Sequence, residues 1–252
     1  MTESKLQKQR FEYKYITNEN QALAIRQFVE SYLYLDPFGS TQPNRSYPVH
    51  SLYLDSANLK TYTDTINGSR NRFKLRLRYY ENGDDAPVYF EVKRRHDRVI
   101  SKKRAVVHRE FAEELVYGAI PSMHHLVEKT NEQFMALSYV CNLIGSLQAH
   151  PKTHIKYFRE AYELIDSNSV RVTFDRDVCS EVMHKLDYKI VQERPVSVFG
   201  DKVILELKFT DRYPRWFHDL VLHFGLSNGS AAKYVDGLVK LHHHHHITLE
   251  KY

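Results

Sequence analysis

Three strand-like runs between residues 72 and 104 carry cationic side chains on one face and apolar side chains on the other. In the first run, Arg72, Lys74, Arg76 and Arg78 alternate with Phe73, Leu75, Leu77 and Tyr79. This two-residue period is typical of a β-strand with two different faces. Residues 88–95 and 102–107 repeat it. A solvated meander explains one such strand, but like charges on neighbouring strands repel each other, so the three runs together favour a bound anion.

Five further segments alternate in the same way, at residues 10–15, 47–53, 155–162, 170–175 and 203–209. Apolar residues recur at helical spacing in the segments between them, at residues 18–36, 56–66, 109–118, 132–148, 214–222 and 230–241. We interpret the helical stripes as core rather than as cofactor sites. The pattern predicts an α+β fold, and no linker divides the chain.

The pattern Glu-x-Lys recurs in three predicted strands, as Glu12-x-Lys14, Glu91-x-Lys93 and Glu206-x-Lys208. Each copy places a carboxylate and an ammonium group on one face while the other face stays apolar. In a flat sheet these pairs would be surface salt bridges. In a closed antiparallel barrel covered by helices they would form a charged interior, which requires water and an anion to offset the buried cations.

The composition favours an anionic partner without identifying it. The formal net charge of +5 suits nucleic acid, phospholipid and phosphorylated metabolites alike. Most aromatic residues alternate onto the apolar faces, which argues against base-stacking platforms and therefore against nucleic acid. No Gly-x-x-x-x-Gly-Lys-Ser/Thr motif occurs, which argues against a P-loop kinase.

The location of the protein is predicted from its cysteines and its N-terminus. Cys141 and Cys179 are isolated in the sequence, and we predict that both are buried free thiols. Free thiols are typical of a protein in a reducing compartment. The first ten residues are polar and charged, and no apolar run approaches the roughly 18 residues of a membrane span. We therefore expect a soluble cytoplasmic protein without membrane insertion. The His242–His246 run is assigned no role.

The charged motifs occur in an order that resembles the VTC domain. They are Arg10-x-Glu12-x-Lys14, Ser51-Leu52-Tyr53-Leu54-Asp55, Arg76-x-Arg78-Tyr79, Glu91-x-Lys93, Lys102-x-Arg104, Arg159, Arg171, Glu206-x-Lys208 and Lys233-Tyr234. This domain is the polyphosphate polymerase module of the vacuolar transporter chaperone complex, a branch of the triphosphate tunnel metalloenzymes or CYTH superfamily. The resemblance runs from about Arg10 to Leu241. It implies one domain over residues 1–252 with a His-rich C-terminal tail.

The resemblance implies a closed antiparallel eight-stranded β-barrel tunnel with flanking helices. The activity that it implies is transfer of the γ-phosphate of ATP onto a polyphosphate chain. ATP and polyphosphate are then the partners and Mn²⁺ or Mg²⁺ the cofactor. The family complex also contains membrane and regulatory modules, so partner proteins of those kinds are compatible with this chain.

Residue by residue, the resemblance implies three sets of functional side chains. The catalytic cations that match are Lys14, Arg76, Arg78, Lys93, Arg159 and Arg171. Further phosphate-binding cations are Lys102, Arg104, Lys208, Lys233 and Arg10. Glu206 matches the metal ligand, with Glu12 and Glu91 as the next candidates.

Two departures from the family pattern bear on the activity. Hydrolytic members carry a glutamate where this chain has Arg10, so one metal-binding carboxylate is replaced by a cation. This difference favours a polymerase over a hydrolase. Ala232 replaces the serine that often precedes the last lysine of the family. The alternatives are a triphosphate or polyphosphate hydrolase of the same fold and a non-catalytic polyphosphate-binding module.

Overall fold

A computed structural model describes residues 10–81, 83–97, 99–165 and 167–249, without the side chains of residues 10 and 168. Its strands are β1 Arg10–Thr17, β2 Tyr34–Leu35, β3 Tyr47–Asp55, β4 Asn71–Tyr79, β5 Val88–His96, β6 Val99–Val107, β7 His150–Leu164, β8 Ser167–Val182, β9 Val196–Ser197 and β10 Val203–Thr210. Its α-helices are α1 Glu19–Val29, α2 Pro37–Ser40, α3 Lys60–Ile66, α4 Ala112–Val116, α5 Asn131–Leu147, α6 Arg215–His223 and α7 Lys233–His243. Short 3₁₀ turns lie at Arg109–Phe111 and Met123–His125.

The predicted α+β class is confirmed, and each of the eight alternating segments lies in a strand. Helix α1 begins where Asn18 accepts a hydrogen bond from the backbone N–H of Gln21, as expected of an N-cap. It ends at Val29, before the predicted boundary near residue 36. The chain leaves the helix early because Tyr34 and Leu35 pair with β7 as the short strand β2.

The predicted closed eight-stranded barrel is wrong. The sheet has ten strands in the order β2-β7-β3-β4-β5-β6-β1-β10-β8-β9, and β7 also pairs with β8. In the residues that the structure describes, β1 and β6 meet at one residue pair, Arg10 with Ile100. Beyond it, the edge of β1 is approached by the chain after α6, where the N–H of Gly229 donates to the carbonyl of Lys14 at 2.9 Å. The sheet is therefore strongly curved but interrupted by a seam between β1 and β6.

Helices cover the convex face of the sheet in two places. Helices α4 and α5 pack on the apolar faces of β3, β4, β5 and β6, with Leu137 and Ile144 of α5 buried there. Helices α1 and α6 pack on β1, β8 and β10, with Ile25 and Phe217 buried. No helix among residues 10–249 that the structure describes combines the length and the apolar character of a membrane span.

Helix α7 packs against the opposite face, which carries Tyr53 and Tyr157. Tyr234 stacks on Tyr53 with ring centroids 4.8 Å apart, and its hydroxyl donates to Asp55 at 2.8 Å. The approach is close because a Cβ atom at Gly237 would lie 2.7 Å from Ile155 Cδ1. Glycine at this position therefore allows the N-terminus of α7 to place Lys233 against the concave face.

The neighbouring strands β3 and β7 each contribute one histidine to a buried pair. His50 Nδ1 lies 3.0 Å from His154 Nε2, and the Tyr79 hydroxyl lies 3.3 Å from the same His154 nitrogen. The other ring nitrogens, His50 Nε2 and His154 Nδ1, have no hydrogen-bond partner among the described residues. Burial lowers the pKa of His50 to about 4 and that of His154 to about 3. Both rings are therefore neutral at pH 7.

Acidification is expected to destabilise the fold through this pair. Because the folded-state pKa values lie below the ordinary value of 6.5, the unfolded chain binds more protons, and stability falls as the pH drops below 6.5. The expected loss between pH 6.5 and pH 4 is roughly 3 kcal/mol for each histidine. Urea unfolding across this range should show a flatter pH dependence for His50→Gln/His154→Gln than for wild type. The exposed His184→Gln is the control, and equal slopes for wild type and the double variant would contradict the expectation.

Candidate active site

The concave face of the sheet encloses a cavity of about 810 Å³. Among the described residues, ten cationic side chains and two carboxylates line it. The cations are Lys14, Arg72, Lys74, Arg76, Arg78, Lys93, Arg95, Arg159, Lys208 and Lys233, and the carboxylates are Glu12 and Glu206. The alternating strands explain this composition, because every second side chain of β1, β4, β5 and β10 points to the same face.

Glu206 on β10 lies at the centre of one ion-pair cluster. Its Oε1 atom lies 3.2 Å from Lys14 Nζ and 3.0 Å from Lys233 Nζ. Its Oε2 atom lies 2.7 Å from Lys208 Nζ and 3.5 Å from a guanidinium nitrogen of Arg159. Burial by itself would raise the pKa of Glu206, but these cations hold it well below its ordinary value. The carboxylate is therefore ionised, and it organises four cations.

Asp175 and Glu12 complete this cluster. Asp175 on β8 pairs with Arg159 at 2.7 Å and with Lys233 Nζ at 2.6 Å. Glu12 on β1 lies 3.3 Å from Lys14 Nζ and 2.7 Å from Lys93 Nζ of β5. Lys93 and Glu12 lie on opposite sides of the seam. Their ion pair therefore connects β5 with β1, two strands that are not paired through their backbones.

Glu91 on β5 forms the second ion-pair cluster. Its carboxylate accepts from Arg76 Nε at 2.7 Å, pairs with Lys102 Nζ at 2.9 Å and also pairs with Arg104. Burial raises the pKa of Glu91, but the surrounding cations, with Arg76 and Arg78 contributing most, lower it well below its ordinary value. Lys102 and Arg104 are thus directed at Glu91, and neither is among the residues that line the cavity.

Two cations of the cavity, the buried Arg78 and the half-buried Lys74, form no direct ion pair with a carboxylate in the described part of the chain. Arg78 on β4 is 5% exposed and donates one hydrogen bond, to the Tyr157 hydroxyl at 3.1 Å, while its Nε atom is unpartnered. Lys74, two positions before Arg76, forms no ion pair, and burial together with Lys14 and Lys93 lowers its pKa to about 7. Burying a charge without a partner costs several kcal/mol, so these two positions favour an anion.

The structure brings most of the predicted site residues together. Lys14, Arg76, Arg78, Lys93, Arg159, Lys208, Lys233 and Glu206 all line the cavity. Arg171 does not, because its guanidinium pairs with Asp36 at 2.8 Å and with Glu163 at 2.5 Å. The side chain of Arg10, the predicted difference from hydrolytic members of the family, lies outside the part of the structure that is described. The roles of all these residues stay predictions.

Three cavity cations were not among the predicted site residues. Arg72, Lys74 and Arg95 line the cavity beside Arg76 and Lys93. The signal was present in the sequence, because all three share the cationic face of β4 or β5 by simple alternation. The motifs that resemble the family do not include these three positions.

The carboxylates do not form a ready metal cage. Within the described ranges, no group of three or more His, Cys, Asp or Glu side chains is arranged to hold a metal ion. Both oxygens of Glu206 already contact cations. Mg²⁺ and Mn²⁺ commonly take one or two protein carboxylates and complete their shell with phosphate oxygens and water. The donor set therefore fits a divalent ion that is held mainly by a phosphorylated substrate.

Comparison with known sequences agrees with this geometry. Residues 9–242 match the VTC domain family over nearly the whole chain. The chain belongs to the VTC domain family. The resemblance drawn from the ordered motifs is thereby confirmed, while no protein of curated function matches the sequence.

Two solved structures align with most of this VTC domain. A candidate adenylate cyclase from Bacillus halodurans aligns at 12% identity with a TM-score of 0.48, covering 88% of this chain and 92% of its own. A candidate adenylate cyclase from Vibrio parahaemolyticus aligns at 12% identity with a TM-score of 0.45, covering 90% of this chain and 97% of its own. Alignments at this identity and TM-score support no conclusion about the reaction of this VTC domain.

Proposed function

We propose that this VTC domain is a polyphosphate polymerase that transfers the γ-phosphate of ATP to the end of a polyphosphate chain. The observation that carries the proposal is Arg78, a buried guanidinium in the cavity wall with a tyrosine hydroxyl as its partner. A triphosphate or polyphosphate supplies the missing negative charge, and the guanidinium fork suits bidentate contact with phosphate oxygens. Membership of the VTC domain family supports the choice of substrate.

The reaction requires alignment and charge stabilisation rather than a protein nucleophile. A terminal oxygen of the acceptor chain forms a bond to the γ-phosphorus of ATP, the bond to the bridging oxygen breaks, and ADP leaves. Arg76, Arg78 and Lys74 lie on one strand and would neutralise charge on the transferred oxygens. Fixed cations of this kind need no reorganisation during the reaction, which is the main source of catalysis in phosphoryl transfer.

Glu206, with Glu12 nearby, is the residue that we expect to contact a divalent ion. Bound Mn²⁺ or Mg²⁺ would neutralise phosphate charge. Lys14, Lys208 and Lys233 form ion pairs with the Glu206 oxygens. Phosphate oxygens of a bound triphosphate would offer these lysines alternative partners, and Glu206 would then be able to hold the divalent ion. The same cations keep Glu206 ionised, which is the form that binds a divalent ion.

Incubation of the purified protein with ATP and Mn²⁺ tests the proposal directly. We expect ADP to accumulate together with long chains that stain as polyphosphate on a gel, and we expect little free phosphate. Heat-treated protein and EDTA are the controls. Release of free phosphate without formation of chains would indicate that the protein is a hydrolase of the same fold and not a polymerase. Binding of tripolyphosphate without turnover would leave a phosphate-binding module and would contradict the enzymatic proposal.

A further inference from the structure

Four aromatic side chains gather where the cationic face of β4 ends. Phe38, Tyr47, Tyr80 and Tyr89 form what we call the Phe38 cluster. The Phe38 ring lies nearly parallel to Tyr80, with centroids 6.2 Å apart and an interplanar angle of 12°. Tyr80 also contacts Tyr89 edge-on at 5.7 Å. Phe38 is nevertheless 66% exposed, so packing within the cluster leaves most of this ring available.

Phe38 is held in place rather than free to collapse onto the surface. Asp36, which is buried, caps α2 by accepting from the Gly39 N–H at 2.8 Å, and it also accepts from the Tyr47 hydroxyl at 2.8 Å. The same carboxylate pairs with Arg171 at 2.8 Å. A Cβ atom at Gly39 would lie 2.9 Å from the carbonyl oxygen of Arg45, so the turn is tightly packed. An exposed apolar ring on a preorganised turn is typical of a contact surface.

The cluster lies next to Arg78 and Arg104, two of the cations that we predict to bind phosphate. Tyr80 follows Arg78 by two residues, and Tyr89 is the strand partner of Arg78. The Arg104 guanidinium carbon lies 4.5 Å from the centroid of the Tyr89 ring. Burial would raise the pKa of Tyr80, but Arg78 and Arg104 lower it below its ordinary value, as expected for a hydroxyl near both cations. A ligand whose phosphate contacts Arg78 therefore has an aromatic surface within reach.

We propose that the Phe38 cluster is the nucleobase platform of the site, on which the base of a nucleoside triphosphate stacks while its phosphates extend toward Arg78. This inference rests on the proposed function, and it adds a subsite that distinguishes a nucleotide from the polyphosphate chain, because polyphosphate has no planar group. Base stacking on aromatic side chains tolerates different bases, since every base has a π-face. The platform therefore selects for the nucleotide class rather than for adenine in particular.

Equilibrium binding of ATP and of tripolyphosphate separates the two parts of the site. In EDTA, where no turnover interferes, we expect Phe38→Leu to weaken ATP binding by about fivefold or more and tripolyphosphate binding by less than about twofold. Leucine keeps an apolar side chain over Tyr80 but removes the ring. Phe38→Trp should preserve or tighten ATP binding. Tyr117→Ala removes an exposed aromatic ring elsewhere on the fold and should change neither affinity.

Each outcome bears on the inference differently. Selective loss of ATP affinity in Phe38→Leu, with recovery in Phe38→Trp, supports the platform. Equal affinities for wild type and Phe38→Leu, or a parallel loss for both ligands, would overturn it while leaving the cationic site intact. If wild type binds tripolyphosphate but turns over no ATP, the polymerase proposal fails, and the ratio of ATP to tripolyphosphate affinity still decides the platform. If wild type binds neither ligand, both ideas are refuted.

Discussion

Replacement of Arg78 by alanine is expected to cost about 2 to 4 kcal/mol of transition-state stabilisation, a factor of roughly 30 to 900 in rate. The guanidinium lies in the cavity wall and forms no direct ion pair with a described carboxylate, although Glu91 is near enough to raise its pKa, so its N–H groups are available to the transferred phosphate. Steady-state ATP turnover and tripolyphosphate binding measure the loss. Arg78→Lys should recover part of the affinity, because it restores the charge but not the bidentate fork.

The same substitution should not destabilise the free protein. Removal of Arg78 relieves the desolvation cost of a buried charge, and Glu91, which loses its attraction to Arg78, keeps its direct ion pairs with Arg76, Lys102 and Arg104. We therefore expect the free energy of unfolding of Arg78→Ala to stay within about 1 kcal/mol of wild type or to rise. Arg94→Ala is the matched control, because Arg94 is an exposed arginine whose guanidinium carbon lies 5.5 Å from the Phe73 ring centroid. If Arg78→Ala turned over ATP at the wild-type rate, the prediction that the active site lies at this wall of the cavity would be wrong.

Glu206→Gln is expected to reduce both activity and stability. The substitution leaves Lys14, Lys208 and Lys233 around a neutral amide, and breaking a buried charge cluster of this kind costs about 3 to 5 kcal/mol. Metal-dependent turnover should be abolished, while tripolyphosphate binding should persist in part. Urea unfolding with and without tripolyphosphate should show that the ligand stabilises the variant more than it stabilises wild type, because the ligand replaces the lost negative charge.

The acid dependence of stability provides a second measure of Glu206. Because its pKa is held well below the ordinary value, the carboxylate contributes stability that is present above the ordinary glutamate range and is lost as the pH falls through its lowered pKa. Glu206→Gln should lack that component. Glu128→Gln, at an exposed glutamate, is the control. Full activity of Glu206→Gln would show that Glu206 does not contact the metal. Glu12 and Glu91 would then be the next candidate ligands to substitute.

Much of the site could be predicted because strand alternation is local. The side chains of Arg76 and Arg78 share a face whatever the rest of the chain does, and β1 and β10 repeat the rule with Lys14 and Glu206. The eight long strands could be located for the same reason. The two-residue strands β2 and β9 could not, because two residues carry no period and are defined by the strands with which they pair.

Partner choice among the charges could not be read from the sequence. Arg171 matches a family cation, but Asp36 and Glu163 neutralise it, and Asp36 reaches it from the turn after β2. Lys102 and Arg104 alternate like cavity residues but are directed at Glu91. Such pairings depend on which strands become neighbours and on how far each side chain reaches, and neither is a local property.

The sequence by itself determined the α+β class, the long strands, the apolar helices and a cationic strand face, because each follows from residue periodicity over a few neighbours. Tertiary structure decided that the described sheet has ten strands with a seam between β1 and β6, that α7 packs on the concave face, and which cations form direct ion pairs with carboxylates. These features depend on contacts between distant segments. The close approach of Gly237 to Ile155 is one such contact, because it sets the depth at which α7 presents Lys233 to Glu206.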